Sequence, residues 1–319
     1  VKPLLPSAID AIGETPLVNL SRVVETLGLD GRIVAKLDYL LPGLSKKDRA
    51  AKAIIEEARA SGDLAEGQAV VELTSGNMGT GLAIVCGILG HPFIAVMSEG
   101  NSEERARMMR ALGAEVILVQ QAEGSRKGEV SGADLALVDE TAQRTTAERK
   151  AFRADQFMRD GNPKAHETGT APEIWGQTQS KVTAFCDFAG SGGTLGGCAR
   201  FFMPKGVNCY GVEPEGAEAI AGGKVSKPDH PIQGGGYLIS DLEHLNGVEL
   251  SGVLTVSGKE ARDHARLLAQ REGIFGGYSA GANLAAAVKL LRGPETGGTV
   301  AMVVCDSGLK YLSTDLWGA

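Results

Sequence analysis

The stretch AVVELTSGNMGTGLAIVCGIL, residues 69–89, decides the fold. Its first five residues are mostly apolar and β-branched, and they read as a strand. The turn TSGNMG follows without a spacer, and an apolar run of helical character follows the turn. A strand that passes through a short turn into a helix is the first half of a βαβ unit. The next apolar run, residues 92–97, supplies the second strand. Asn101 with Glu104 reads as a capping box for a helix ending near Gly113, and residues 115–119 read as a third strand. Such units imply parallel strands joined by right-handed crossovers.

Working outward, the segment 120–149 turns polar, with helix expected over 133–145 and a domain transition nearby. A second series then begins. Residues 182–189 read as a strand that leads into the turn GSGGTLGG (190–197) and a helix through Phe202. Residues 208–213 form another strand, and Ser257 with Glu260 caps a helix to Arg271. Extended chain at 274–278, a helix at 280–291 and a last strand at 299–305 complete the series. The fold class is α/β, and its glycine-rich turns fall at the carboxyl ends of strands, where open α/β sheets place ligands. No internal repeat is read.

Composition narrows the function classes. The 319 residues carry 32 basic and 39 acidic side chains, a formal charge of −7. That balance disfavours a nucleic-acid or anionic-membrane binder, which needs a basic surface. Forty-four glycines are about twice the ordinary share and show no collagen-like period, so close backbone approaches at turns are expected. The five cysteines are scattered, odd in number and without a CxxC pair. Buried reduced thiols in the cytoplasm are expected, with no metal site. The start VKPLLPSAID has no secretory pattern, and no run is long enough to cross a membrane.

Four segments can carry chemistry, and each has a plainer alternative. GSGGTLGG opens a helix and can cup a phosphate on backbone N–H groups, or it is simply a tight turn. It is neither a dinucleotide fingerprint nor a P-loop. PGLSKKDRA (42–50) is either a solvated charged helix start or the seat of a Schiff-base lysine. TSGNMG suits a carboxylate, or is a capped turn. GGYSAGAN (276–283) places Ser279 where it can cap a helix or meet a ligand.

Taken in order, these segments resemble the cysteine synthase and cystathionine β-synthase family, pyridoxal-phosphate enzymes of the tryptophan-synthase-β fold. The likeness runs over nearly the whole chain: IGETPLVNL, PGLSKKDRA, VELTSGNMGTGLA, MMRALGAEVILV, DQF, NPKAHETGTAPEIW, FAGSGGTLGG, YGVEPEG, IQGGG, EGIFGGYSAGA and DSGLKYLST. It implies two three-layer α/β domains with mostly parallel sheets and the cofactor in the cleft between them. The larger domain is expected over 1–41 plus 153–319, and a smaller mobile one over 42–152.

The resemblance also implies roles. Lys47, and not Lys46, takes the Schiff-base position. Asn77 contacts the cofactor's 3-hydroxyl, Gly190, Ser191, Gly192, Gly193 and Thr194 hold its phosphate, and Ser279 meets the pyridine nitrogen. Thr74, Ser75 and Gly76 close over the substrate carboxylate, with Gln156 as a second partner and Gly234 at the rim. A neutral partner at the pyridine nitrogen weakens the electron sink and favours loss of a β-leaving group, with Lys47 as base at the α-carbon.

The chain departs from the family pattern at Leu41, Leu44, Met78 and Tyr237, each replacing a smaller or more polar residue. These put the substrate in question and leave the cofactor alone. The expected activity is β-replacement on an activated or β-hydroxy amino acid through an α-aminoacrylate, with a non-standard substrate or nucleophile. The alternative is β-elimination to a keto acid and ammonia. A small-molecule amino acid and nucleophile are the expected partners, and a homodimer the expected assembly.

Overall fold

The computed structural model describes residues 4–125, 130, 132–223, 230–236 and 239–318. Along the chain the principal elements are β1 (Leu17–Asn19), α1 (Ser21–Thr26), β2 (Arg32–Lys36), α2 (Lys47–Ser61), β3 (Val70–Leu73), α3 (Asn77–Leu89), β4 (Phe93–Ser98), α4 (Glu103–Ala111), β5 (Glu115–Val119) and α5 (Gly132–Arg149). There follow β6 (Phe152–Arg153), α6 (Gly161–Ala165), α7 (Ala171–Gln177), β7 (Ala184–Phe188), α8 (Gly193–Phe202), β8 (Asn208–Pro214), β9 (Gly252–Val256), α9 (Gly258–Glu272), α10 (Tyr278–Leu291) and β10 (Thr299–Val303). The chain divides into two compact units, residues 1–13 with 41–162 and residues 14–40 with 163–319.

The first unit is built on a four-stranded parallel sheet in the order β5-β4-β3-β6. Strand β4 shows why it has three layers. Phe93, Ala95 and Met97 enter one core with α2 and α3, while Ile94 and Val96 enter a second with Val138 and Ala142 of α5. A strand buried on both faces reads as a continuous apolar run. Ile9 and Ile12 join the first of these cores. Strand β6 pairs with β3. The first unit thus takes in residues 1–13 and extends past β6 to 162, where the sequence reading placed 1–41 and 153–319 together; the division at 40/41 falls beside the expected one at 41/42.

The second unit carries a six-stranded sheet in the order β1-β2-β10-β7-β8-β9, parallel except for the β1–β2 pair. Helices α9 and α10 cover one face, with Leu268, Ala282 and Ala286 in the core beside Ile33 and Met302. On the other face Ile174 of α7 and Leu195, Cys198 and Phe202 of α8 meet Phe185 and Ala301.

The Ser257–Glu260 capping box forms as expected, with Ser257 Oγ accepting from the Glu260 N–H. The expected Asn101–Glu104 box does not. Helix α4 begins at Glu103, one residue later than expected and behind Ser102, and Asn101 Nδ2 donates to Ser98 O at 3.2 Å instead. All five cysteines are buried and none is in a disulfide, and burial pushes the thiols of Cys86 and Cys209 up to about 12. Among the described residues no helix is long and apolar enough to cross a membrane.

Candidate active site

In the first unit the chain leaves β3 for β4 and β5 on one side and returns to β6 on the other. The strand order therefore reverses between β3 and β6, and crevices for ligands open at the carboxyl ends beside such a reversal. The residues that follow these two strands are 74–77 and 154–156, which include every substrate-loop candidate and Gln156.

Backbone geometry shapes the TSGNMG turn. Thr74 Oγ1 accepts from the N–H groups of Gly76 and Gly79, both at 2.9 Å, so as an acceptor this hydroxyl serves the turn itself. Gly76 adopts φ +130°, and a Cβ there would meet the Arg105 side chain at 2.6 Å. Arg105, buried on α4, donates from Nη1 to Ser75 O at 2.6 Å. A buried guanidinium behind the loop favours an anion in front of it. The sequence reading missed Arg105 because nothing local marks it.

Asn77 is the first residue of α3 and half-buried. Met78, expected among the substrate contacts, is 2% exposed and belongs to the apolar core of this unit. Its methionine is a packing residue, which corrects the expectation that it lines a pocket. Lys47 opens α2 and is half-buried, while Lys46 precedes it at the cap position and is 8% exposed. The run KKDR is no solvated helix start: Asp48 and Arg49 are buried, and Asp48 Oδ2 accepts from the Gly43 N–H at 2.5 Å. Leu41 is buried, and Leu44 holds a left-handed φ of +60° where the family pattern has glycine.

In the second unit the strand order reverses between β7 and β10. The GSGG turn leaves the end of β7 and opens α8 with Gly192 at φ +81° and no side-chain cap on its N-terminus. A Cβ on Gly190 would lie 2.5 Å from Gly234 O, and Gly236 donates to Ala189 O at 3.2 Å. Gly234 thus backs the turn. Thr194 Oγ1 shares a hydrogen bond with His166 Nε2 at 3.2 Å, and His166 Nδ1 shares one with Thr170 Oγ1 at 2.8 Å. His166 and Thr170 lie in a π-helical turn, His166–Thr170, and buttress the phosphate turn. The sequence pattern contained both residues but assigned them no role.

Ser279 sits in the first turn of α10, behind Gly277 at the cap position, and makes no cap hydrogen bond. It is 7% exposed, and its hydroxyl has no partner among the described residues. Helix capping therefore does not explain it. Tyr237 lies outside the described residues.

These features fit a pyridine bearing a phosphate. An uncapped helix N-terminus with a glycine turn suits the phosphate. A neutral hydroxyl without a partner among the described residues suits a ring nitrogen. A half-buried lysine suits an aldehyde.

The comparisons agree with that donor set. The model of the family described as "Pyridoxal-phosphate dependent enzyme" matches residues 8–306. The chain is 39% identical over 314 residues to cysteine synthase 3 of Caenorhabditis elegans, spanning 97% of this chain and 88% of that protein. It is 37% identical to cysteine synthase B of Salmonella typhimurium, spanning 96% and 94%. The crystal structure of the O-acetylserine-dependent cystathionine β-synthase of Helicobacter pylori aligns with TM-score 0.88 and 30% identity, over 99% of this chain and all of that one. With its two sheets of mostly parallel strands, its glycine turn and its lysine in the matching pattern, the chain belongs to the pyridoxal-phosphate dependent enzymes, as a cysteine synthase-like member.

Proposed function

We propose that the protein catalyses β-replacement on an O-activated or β-hydroxy amino acid, exchanging the β-substituent for an incoming nucleophile. Pyridoxal phosphate, when bound, supplies an aldehyde for the substrate amine and a ring that withdraws electrons from the α-carbon. Gly190, Ser191, Gly192, Gly193 and Thr194 would hold its phosphate, and Asn77 its 3-hydroxyl. Lys47 would hold the aldehyde and, once freed, would serve as the base for the proton on the α-carbon. Ser75, Gly76 and Gln156 receive the substrate carboxylate.

The observation that carries the reading is the Ser279 hydroxyl at the start of α10, which has no partner among the described residues. A hydroxyl there does not hold the ring nitrogen protonated as a carboxylate does. Charge at the α-carbon is then short-lived, which favours expulsion of a β-leaving group. The relatives named above support the same chemistry. O-acetylserine, named for the Helicobacter pylori enzyme, is the first amino acid to try. Leu44, part-exposed beside the lysine segment, is apolar where the family pattern has glycine and favours an organic thiol over sulfide. Five buried thiols outside any disulfide suit a reducing compartment such as the cytoplasm, and the family likeness suggests a homodimer.

The test is to give the holoenzyme O-acetylserine with sulfide, and separately with larger thiols, and to identify products by mass spectrometry. A thiol-substituted amino acid is the expected product. A keto acid and ammonia, whatever nucleophile is present, would replace this reading with a lyase.

A further inference from the structure

Glu72 lies on β3 two residues before Thr74 and is 1% exposed. Strand alternation turns it to the same side as Val70, into the interior. Beside it runs β6, with Arg153 opposite Val71. Gln156 therefore emerges next to the start of the substrate loop. Glu72 Oε1 accepts from the Gln156 backbone N–H at 3.5 Å and from Nε2 at 3.2 Å. Nε2 also donates to Leu73 O at 3.5 Å. Both amide hydrogens of Gln156 thus face acceptors of its own unit, and the carbonyl end faces the other way. Turning the amide round would set its oxygen against an ionised carboxylate, so the charge on Glu72 holds the orientation.

We propose that Glu72 is a positioning residue for the substrate: it takes up a proton from solvent as an amino-acid carboxylate binds, and its neutral form lets Gln156 turn its N–H groups toward that carboxylate. The inference rests on the reading that Gln156 meets the substrate carboxylate. A neutral Glu72 donates its O–H to the reversed Gln156 oxygen, so the hydrogen bond between the two side chains is kept in the turn.

The surroundings make that proton easy to gain. Arg153 Nε stands 3.9 Å from Glu72 Oε2, and its guanidinium is shared with Asp139 at 2.9 Å. Glu72 Oε2 has no hydrogen-bond partner among the described residues. Burial above all pushes this carboxyl up to about 7; Asp155 adds to the rise, while Arg153 and the two Gln156 N–H groups oppose it. A substrate carboxylate brings a further negative charge and drives it higher. Below pH 7 the acid is already neutral and binding needs no proton. Above pH 7 each bound carboxylate must bring one, and affinity falls.

The experiment titrates the holoenzyme with L-alanine, which has no β-leaving group, following cofactor absorbance from pH 6 to pH 8. Glu72→Gln stands for the neutral acid. Its amide can give an N–H to the Gln156 oxygen at any pH. The ratio of wild-type to variant Kd should rise by up to about tenfold over that range, while the substrate amine affects both proteins alike. Calorimetry on the wild type in two buffers of different ionisation heat should show the net proton number changing by about one between pH 6 and pH 8. That measurement stands if the variant does not fold. A flat Kd ratio and a constant proton number would overturn the role of Glu72 alone. Failure of the holoenzyme to bind any amino acid would overturn the reading of Gln156, and this inference with it.

Discussion

The backbone N–H of Phe188, the last residue of β7, donates to Asn283 Oδ1 on α10 at 2.7 Å. The same side chain donates from Nδ2 to Val303 O at 2.9 Å and Asp187 Oδ1 at 3.1 Å. One buried amide therefore ties together the ends of β7 and β10, the strands that flank the reversal of the second sheet. It also sits one helical turn after Ser279. The phosphate turn and the Ser279 hydroxyl are held in register by this residue.

Asn283→Leu should accordingly weaken both fold and cofactor retention. It leaves the Phe188 N–H buried without its partner, at about 1–3 kcal/mol for the bare group, and the Val303 carbonyl with the weaker Cys305 thiol donor. A fall in holoenzyme Tm on the order of 5 °C is expected by calorimetry, with faster cofactor loss on dialysis. An unchanged Tm would show that water or a neighbouring side chain takes over both groups.

Lys47→Ala should abolish activity and prevent covalent fixation of the cofactor by borohydride, whereas Lys46→Ala should be mild. Both lysines stand at the start of α2, at its first position and at its cap. Peptide mass spectrometry after reduction decides between them. A cofactor adduct on Lys46 would reverse the assignment.

Leu44→Gly should stabilise the first unit. Leu44 holds φ +60°, a conformation that costs an L-residue about 1–2 kcal/mol, while glycine enters it freely but loses more chain entropy on folding. The net gain should be up to about 1 kcal/mol, read as a higher urea midpoint at constant slope. A lower midpoint would mean that the leucine side chain packs well enough to outweigh the strain. If Leu44 also shapes nucleophile choice, the variant should use sulfide better relative to larger thiols.

Ser279→Asp should move the product balance away from β-replacement toward racemisation or transamination. A carboxylate at that position would keep the ring nitrogen protonated and prolong charge at the α-carbon. Chiral chromatography of recovered amino acid and assay of keto acid check this. Unchanged ratios in a variant that keeps its cofactor would remove Ser279 from the nitrogen.

Strand–turn–helix junctions were legible because they are local. At β3–α3, at β7–α8 and in the Ser257–Glu260 cap, a few adjacent residues carry the whole signal. Strand β6 was not legible, because Phe152 and Arg153 become a strand only by pairing with Val70 and Val71. The same holds for Met78, whose place in the core depends on helices that no neighbour in sequence announces. Lys47, the glycine turn and Ser279 could be named from the sequence because their order along the chain repeats a family pattern.

The sequence by itself determined the α/β class, the glycine turns at strand ends, and the residues that mark a pyridoxal-phosphate enzyme. Only the tertiary structure decided which polar groups support them: Arg105 behind Ser75, His166 against Thr194, Asn283 across β7 and β10, and Glu72 under Gln156. Each of these pairs is 20 or more residues apart in the chain. A buried polar group is stable only beside a partner, and packing of the whole unit chooses that partner.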